Sequence, residues 1–298
     1  MKLLIIGGSG QLSGRLAQLA VKDGHEVYAL TRGIRPLPKG VHPLKADREN
    51  PAAVSAALTG HAFDAVLDCV CMNAQHVRID LDVIAKHSHR FVVVSTDSVY
   101  QTLKRGEKQT EEGCYLADGS YGAKKREMEE VFLASGVHFT LLRPGHIFGP
   151  GFLPGCFPEH SRQKDLLSRI RAGEALRLVG GGRWMIHPVF VDDLARAMLD
   201  VMGNPLTFGR VFLIGGPDVV TNRRYFEMLG EILGKQVHIV SVPDAGYLQA
   251  HPEYSGHICD RFFDLTALEK AHVPLPKTTL REGLGLQVRW LLEQEESK

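Results

Sequence analysis

The sequence predicts an α/β fold built on a doubly wound parallel sheet, followed by a smaller C-terminal α/β lobe. Two observations indicate this class. Apolar stretches of strand length alternate with helical stretches through the first half of the 298 residues, and Gly and Pro mark the joints. Beyond Pro144 the alternation weakens, and glycines and prolines cluster at 144–155, 180–182 and 215–217. The later part of the chain is therefore expected to form a lobe of its own.

The individual elements follow from the positions of these stretches. Strands are expected at 2–6, 26–30, around 44, 65–68, 91–95 and 140–142, and helices at 11–22, 51–58, 74–86 and 122–134. Further helical patterns lie at 165–172, 192–202 and 222–233. We assign residues 1–150, with contributions from about 185–215, to the first domain and residues 151–298 to the smaller lobe. A substrate cleft is expected between them, outside the carboxyl ends of the strands.

Composition and charge argue against several classes of protein. Lys and Arg number 35 and Asp and Glu 34, for a net charge of +1 without blocks of like charge, so no nucleic-acid partner is expected. The apolar runs fall far short of the roughly 20 residues that span a membrane, and no leader precedes the first strand. We expect a soluble, cytoplasmic protein. Its five cysteines lack the spacing of a zinc site or a disulfide framework, so no metal is expected.

A glycine-rich turn directly follows the first strand and precedes the first helix. Its glycines permit a tight turn and close backbone approach, so that N–H groups at the helix start can bind the pyrophosphate of a nicotinamide dinucleotide. Ser13 stands where a third glycine is usual, and it is small enough to keep the helix close to the strand. The alternative is an ordinary tight turn. The pattern favours a Rossmann-type cofactor site that includes Gly7, Gly10, Gln11 and Leu12.

The end of the second strand bears on the choice between NAD and NADP. It reads Thr31-Arg32 and lacks the acidic residue that would bind the adenosine ribose of NAD. An arginine there can pair with the 2′-phosphate of NADP, so we expect NADP, with NAD as the alternative. The alternative for Arg32 is a solvated loop charge. Asp47, after the third strand, is expected to bind the adenine amino group or to cap a helix.

Tyr121 and Lys125 lie four residues apart at the start of a predicted helix and therefore face the same side. A nearby lysine can lower the pKa of a phenol so that it exchanges protons with an alcohol or carbonyl during hydride transfer. Thr96, at the end of an apolar strand, is placed to hold the reacting oxygen. The alternatives are a surface Tyr–Lys pair and a strand-end cap.

With these motifs the sequence resembles the extended short-chain dehydrogenase/reductase family, which includes NAD-dependent epimerases and dehydratases of nucleotide sugars. The likeness spans nearly the whole chain, through the glycine turn and the segments 95–100, 121–125, 142–150, 186–197, 212–216, 263–267 and 283–290. The resemblance implies that Tyr121 is the acid/base, that Lys125 anchors the nicotinamide ribose and tunes Tyr121, and that Thr96 binds the substrate oxygen. It also implies cofactor contacts at Pro144, substrate contacts at Asp97, Arg183 and Arg261, and a homodimer.

Two departures from the family pattern refine the expected function. Ser98 follows Asp97 where dehydrating members have an Asp-Glu pair, which disfavours dehydration. The fourth strand runs into 68–73 instead of a His-x-Ala-Ala segment, similar to a divergent branch that includes plastid RNA-binding relatives. We expect an NAD(P)-dependent oxidoreductase or epimerase acting on a hydroxyl or keto carbon of a nucleotide sugar or related small molecule. The alternative is a catalytically reduced dinucleotide-sensing or RNA-binding module. Specificity is expected in the loops 101–117 and 151–164.

Overall fold

The computed structural model of the protein describes residues 1–101 and 106–296, so residues 102–105 of the first specificity loop lie outside the described residues. The strands are β1 (Lys2–Ile6), β2 (Glu26–Thr31), β3 (Val41–Lys45), β4 (Ala65–Asp68), β5 (Arg90–Val94), β6 (His138–Pro144), β7 (Ile147–Phe148), β8 (Leu176–Val179), β9 (Met185–Ile186), β10 (Val189–Phe190), β11 (Arg210–Ile214), β12 (Val220–Thr221) and β13 (Ile239–Val242). The helices are α1 (Gln11–Lys22), α2 (Pro51–Leu58), α3 (Ala74–Asp82), α4 (Tyr121–Leu133), α5 (Leu166–Arg171), α6 (Val191–Met202), α7 (Asn222–Leu233), α8 (Asp244–Ala250), α9 (Thr266–Lys270) and α10 (Leu280–Glu296).

Seven parallel strands form the central sheet in the order β3-β2-β1-β4-β5-β6-β11. Ile6 at the end of β1 pairs with Leu30 on one side and Asp68 on the other, so these strands end at one edge. The strand order reverses between β1 and β4, and at such a point the connecting segments diverge and leave a crevice. This topology confirms the predicted doubly wound α/β fold.

Apolar residues on both faces of the sheet hold the helices in place. β1 is buried from Leu3 to Ile6, as expected for a strand covered on both sides. On one face α1 packs against α6, and α1 buries Leu12, Leu16 and Ala20, which recur every four residues. On the other face α3 packs against α4. The carboxyl edge of the sheet stays open between these layers.

The C-terminal residues form a separate apolar cluster beside this edge. β8 and β13 pair in parallel, and α7 packs against both α5 and α10. The cluster includes Leu176, Tyr225 and Leu229. Phe148 and Phe190, from the paired strands β7 and β10, join it with ring centroids 5.7 Å apart. The short β7–β10 pair thus connects the sheet to the C-terminal cluster.

Two elements differ from their predicted bounds by more than one residue at an end. The helix expected at 74–86 ends at Asp82, because Val83 has a φ of −116° and the chain continues as a separate 3-10 turn, Ile84–Lys86. The strand expected at 140–142 extends over His138–Pro144, because hydrogen bonding to β5 and β11 on either side continues beyond its apolar centre. Among the described residues, no helix combines the length and apolar character needed to cross a lipid bilayer.

Candidate active site

Two adjoining cavities occupy the carboxyl edge of the sheet. The first, about 430 Å³, is lined by Gln11, Leu12, Thr96, Asp97, Tyr121, Lys125, Pro144 and Arg261, among others. The second, about 500 Å³, is lined by Gly7, Thr31, Arg32 and Asp47, among others. Gly10, Ser13 and Val70 line both, so the two cavities form one continuous groove. The tertiary structure therefore brings all the predicted site residues except Arg183 to this groove.

The glycine turn is shaped by close contacts with its neighbours. Gly7 and Gly8 have φ values of 115° and 85°, which residues with a side chain rarely adopt. A Cβ on Gly8 would lie 2.5 Å from the Cβ of Ala29 on β2. The buried Ser13 hydroxyl accepts a hydrogen bond from the Gly10 N–H at 3.0 Å. Ser13 therefore stabilises the start of α1 in addition to fitting the space of a glycine.

The second cavity carries two arginines at the end of β2. Arg32 was predicted there, and Arg35 lines the same cavity, a contribution that the sequence did not reveal. None of the ion pairs formed within the described residues involves either arginine. The Asp47 carboxylate accepts the Glu49 N–H at 3.0 Å, whereas Asn50 caps α2. Helix capping thus belongs to Asn50, and the adenine contact of Asp47 stays a prediction.

Tyr121 and Lys125 are positioned by the start of α4. The Ser120 side chain accepts the Ala123 N–H, so the helix begins at Tyr121 and both side chains face the cleft. The Tyr121 side chain is 50% exposed, whereas Lys125 is buried. The Lys125 Nζ donates to the carbonyl oxygens of Cys71 and Val94, each at 2.6 Å. These two carbonyls stabilise a charge that burial would otherwise disfavour.

The environment shifts the pKa values of both groups. Burial lowers the pKa of Lys125. Burial and the nearby Asp97 carboxylate raise the pKa of Tyr121, while an interaction with the Thr96 hydroxyl acts in the opposite direction. The sequence led us to expect a phenol pKa lowered by Lys125, and this expectation is not met, because the ammonium is directed at backbone carbonyls. The phenol is therefore protonated at neutral pH.

Thr96, Asp97 and Arg261 are linked beside the phenol. The Thr96 hydroxyl accepts the Ser98 N–H at 3.1 Å, so it does cap the turn after β5, as the alternative reading proposed, while also lining the cleft. The Arg261 Nε donates to Asp97 at 2.9 Å. Arg183 lies apart from the groove, where it pairs with Asp244. Its predicted substrate contact stays a prediction.

A buried ion-pair network beneath the cleft escaped sequence reasoning. Glu129, fully buried, accepts two hydrogen bonds from Arg143 at 2.8 and 2.6 Å and one from the Ser95 hydroxyl at 2.6 Å. Arg143 also bonds the Tyr100 hydroxyl. The signal in the sequence was the four-residue spacing from Lys125 to Glu129, which puts both on one face of α4. The network fixes α4 to β5 and β6 immediately below the cleft.

A second buried network supports the unusual segment after β4. The Arg48 guanidinium bonds Asp68 at 2.8 Å and Asp80 at 2.9 Å. Asp68 also accepts the Val70 N–H at 2.7 Å and so shapes the backbone that leads to Cys71. Burial raises the pKa of Asp80 and of the Cys71 thiol. The Cys71 carbonyl accepts a hydrogen bond from Lys125. The network therefore helps to position the backbone that binds the Lys125 ammonium.

Known proteins are similar to this chain in sequence or in fold. The chain is 28% identical over 235 residues to the chloroplast stem-loop binding protein of 41 kDa b from Arabidopsis thaliana, covering 74% of this chain and 60% of that relative. It is 25% identical over 289 residues to the 2'-dehydrokanamycin reductase of Streptomyces kanamyceticus, covering 91% and 78% of the two chains. The fold is similar to that of UDP-glucose 4-epimerase with UDP-glucose from Thermotoga maritima, with a TM-score of 0.82 and 20% identity over 99% and 100% of the two chains.

A model of one protein family matches most of the chain. The match runs over residues 3–215 and therefore includes the glycine turn, Thr96, Tyr121 and Lys125. The resemblance inferred from the motifs is thereby confirmed, and the chain belongs to the NAD dependent epimerase/dehydratase family.

Proposed function

We propose that the protein is an NADP-dependent oxidoreductase or epimerase that acts on a hydroxyl or keto carbon of a nucleotide sugar or related small molecule. The observation that carries the proposal is the convergence of Thr96, Tyr121 and Lys125 on one cleft that continues into the groove of the glycine turn. Homodimer formation is a further expectation of the family resemblance and stays a prediction.

The residues of the groove fit a nicotinamide dinucleotide. A Cβ on Gly8 would be too close to Ala29, and the N–H groups in the first turn of α1 have no acceptors within the helix, so this backbone is suited to a pyrophosphate. Thr31, Arg32 and Asp47 would hold the adenosine end, and Lys125 and Pro144 the nicotinamide end. When bound, the dinucleotide supplies or accepts the hydride.

The chain's own residues supply proton transfer and orientation. The Tyr121 phenol, protonated at neutral pH, would donate its proton to a substrate carbonyl oxygen in the reductive direction. Thr96 would hydrogen-bond the same oxygen. Lys125, held by two carbonyls, would anchor the nicotinamide ribose. In the oxidative direction the phenol must first lose its proton, which its raised pKa makes harder at neutral pH.

The far side of the cleft suits a ring-containing substrate. Phe157 is 41% exposed, lines the cleft, and lies against His257 with ring centroids 4.2 Å apart. An exposed aromatic face can bind a sugar or a base ring. The fold similarity to an epimerase with bound UDP-glucose supports a nucleotide sugar as the first substrate class to test.

Substitution of Tyr121 by Phe tests the proposal. We expect turnover of the best substrate, found by screening nucleotide sugars and small ketones with NADPH and NADP⁺, to fall by about 10²-fold or more, because proton transfer contributes about that much. Tyr28→Phe removes a phenol that bonds Glu26 outside the groove and serves as the matched control. Turnover unaffected by Tyr121→Phe would contradict the proposed acid/base.

The name of the Arabidopsis relative supports a second candidate function, RNA binding. That protein is a stem-loop binding protein and is 28% identical to this chain, which favours testing an RNA-binding module on the same fold. The near-neutral net charge of +1 argues against it, because RNA affinity usually relies on a basic surface. Tight, salt-dependent binding of an RNA stem-loop without any dinucleotide binding would favour this alternative.

A further inference from the structure

Arg162 is a half-buried cation with one fully buried terminal nitrogen, and the proposed chemistry does not use it. It lies in the specificity loop 151–164, between β7 and α5, and lines the same cleft as Tyr121. Its backbone has a φ of 53°, a left-handed conformation uncommon for residues other than glycine. The N–H of the next residue, Gln163, donates to the Pro154 carbonyl oxygen at 2.9 Å. The Gln163 side-chain oxygen hydrogen-bonds the His160 Nδ1 at 2.6 Å. These bonds hold the loop so that Arg162 is directed into the cleft.

Only part of the Arg162 guanidinium finds hydrogen-bond acceptors among the described residues. One terminal nitrogen donates to the Ile147 carbonyl at 2.6 Å, and the group lies 4.4 Å from the centroid of the Phe152 ring. The other terminal nitrogen is buried without a hydrogen-bond acceptor. Arg162 takes part in no ion pair within ranges 1–101 and 106–296. Removing a charge partly from water without an opposite charge is costly, so this arrangement favours an external anion.

The groups around Arg162 do not supply a negative charge at neutral pH. Burial raises the pKa of Cys156 to about 12, and burial likewise raises the pKa of the Tyr225 phenol. Burial, together with the charge of Arg162, lowers the pKa of His146 well below its ordinary value, so this imidazole is neutral. Arg261 differs from Arg162, because Asp97 balances its charge on the same cleft.

We propose that Arg162 binds an oxyanion of the substrate, a phosphate or a carboxylate, while the reacting carbon lies beside Thr96 and Tyr121. This inference rests on the proposed function, since it assigns the anion to the substrate of that reaction. The fork of a guanidinium matches two oxygens of either group. The backbone at the start of α1 is suited to the pyrophosphate of the dinucleotide. Arg162 is therefore available to bind an anionic group of the substrate. Arg162 then selects charged substrates over neutral ones.

Calorimetric titration of the NADP⁺-saturated protein with inorganic pyrophosphate tests this role. We expect Arg162→Gln to weaken pyrophosphate binding at least about tenfold, the loss of one charge-assisted contact. D-Glucuronate serves as the carboxylate probe, and the probe whose binding depends on Arg162 identifies the group. Arg169→Gln is the matched control, because it removes the same charge from α5, where Arg169 pairs with Glu174. Its binding of both probes should equal that of the wild type.

Several outcomes would overturn the inference. One is unchanged binding of both probes by Arg162→Gln, and another is no binding of either probe by the wild type. A tenfold loss of NADP⁺ affinity in Arg162→Gln would assign the residue to the cofactor instead. Arg162→Lys keeps the charge and should retain part of the probe binding; complete loss in both variants with a lowered unfolding temperature would mean a structural role.

These titrations are independent of turnover. They can be repeated with the free protein, so absent dinucleotide binding or an unaffected Tyr121→Phe enzyme would contradict the proposed function without changing the result for Arg162. Conversely, a loss of activity in Tyr121→Phe together with probe binding that does not depend on Arg162 would leave the reaction supported and remove the anion site.

Discussion

At the scale of single residues, the cations along the groove differ in whether another protein group satisfies their charge. Lys125 donates to two backbone carbonyls, and Arg261 is paired with Asp97. Arg32 and Arg35 line the adenosine end of the groove and belong to none of the ion pairs among the described residues. An extra phosphate on the adenosine ribose would meet this charge. Under the proposed function, we therefore expect these two side chains to set the preference between NADP and NAD.

The double substitution of Arg32 and Arg35 by Ala tests this preference. We expect its affinity for NADP⁺ to fall by about tenfold or more, equivalent to about 1.4 kcal/mol, while affinity for NAD⁺ changes little. Fluorescence titration with both dinucleotides measures the change. Lys39→Ala removes an exposed charge that does not line the groove and is the control. Equal losses for the two dinucleotides would mean that these arginines do not distinguish them.

At the scale of secondary-structure elements, the contact between α4 and the turn after β5 aligns the proposed catalytic groups. Thr96 caps the 3-10 turn Asp97–Val99, and α4 carries Tyr121 and Lys125. The two elements pack so closely that a Cβ on Gly122 would lie 1.9 Å from the Ser98 carbonyl oxygen. The buried Glu129–Arg143 ion pair fixes the same helix about two turns further on. Glycine is thus required at this position by packing, although helices generally disfavour it.

Gly122→Ala is expected to separate the helix from the turn. The added methyl group overlaps backbone, which cannot move aside as a flexible side chain can, so we expect a loss of about 1–3 kcal/mol in the free energy of unfolding. Turnover should also fall, because Tyr121 moves with the helix. Urea unfolding and steady-state kinetics measure the two effects. A Cβ on Gly136 meets no atom within 4 Å, so Gly136→Ala is the control. Wild-type stability and turnover in Gly122→Ala would contradict the packing argument.

At the scale of the whole molecule, a buried histidine connects the sheet edge to the C-terminal residues. His187, just before β10, is buried. Its Nε2 hydrogen-bonds the Gly216 carbonyl oxygen at 2.7 Å, and its Nδ1 accepts the Phe263 N–H at 3.2 Å. Accepting the Phe263 N–H at Nδ1 requires the neutral tautomer with its proton on Nε2. Burial lowers the pKa of His187. Burial also lowers the pKa of His257, to about 4.

These histidines predict acid sensitivity of the fold. Below the ordinary histidine pKa of 6.5, the unfolded chain takes up a proton at His187 while the folded protein resists it, so the stabilisation present above that pH declines as the pH falls. Between about pH 7.5 and pH 5, the free energy of unfolding of the wild type should fall more than that of His187→Gln, by at most about 1.4 kcal/mol per pH unit. Urea unfolding at both pH values measures this difference.

A surface histidine provides the control for the acid prediction. His42 is exposed on β3, so His42→Gln should keep the pH dependence of the wild type. Identical pH dependence in His187→Gln and the wild type would contradict the assignment of a neutral His187 to the folded state.

The sequence alone was sufficient for the features that depend on neighbours close along the chain. The strand–turn–helix of β1 and α1, the alternation of elements and the Tyr121–Lys125 spacing are local patterns, and the family match and the seven-stranded sheet confirm the family and the fold class. The division into two domains stays a prediction. Boundaries such as the end of α3 escaped prediction; there Val83, which packs in the core, leaves the helical conformation with a φ of −116°.

The tertiary structure decided which charged residues meet. Arg183 and Arg261 were equivalent candidates for substrate contact in the sequence, but of the two only Arg261 lines the cleft. Arg162 also lines the cleft, although no sequence motif predicted it. The Arg48–Asp68–Asp80 network likewise joins β4, α3 and the loop after β3. The physical reason is that an arginine's partners are set by long-range packing, whereas backbone turns and helix spacing are set by a few consecutive residues. The glycine turn could therefore be predicted from the sequence, whereas the arrangement of charges in the cleft could be found only from the tertiary structure.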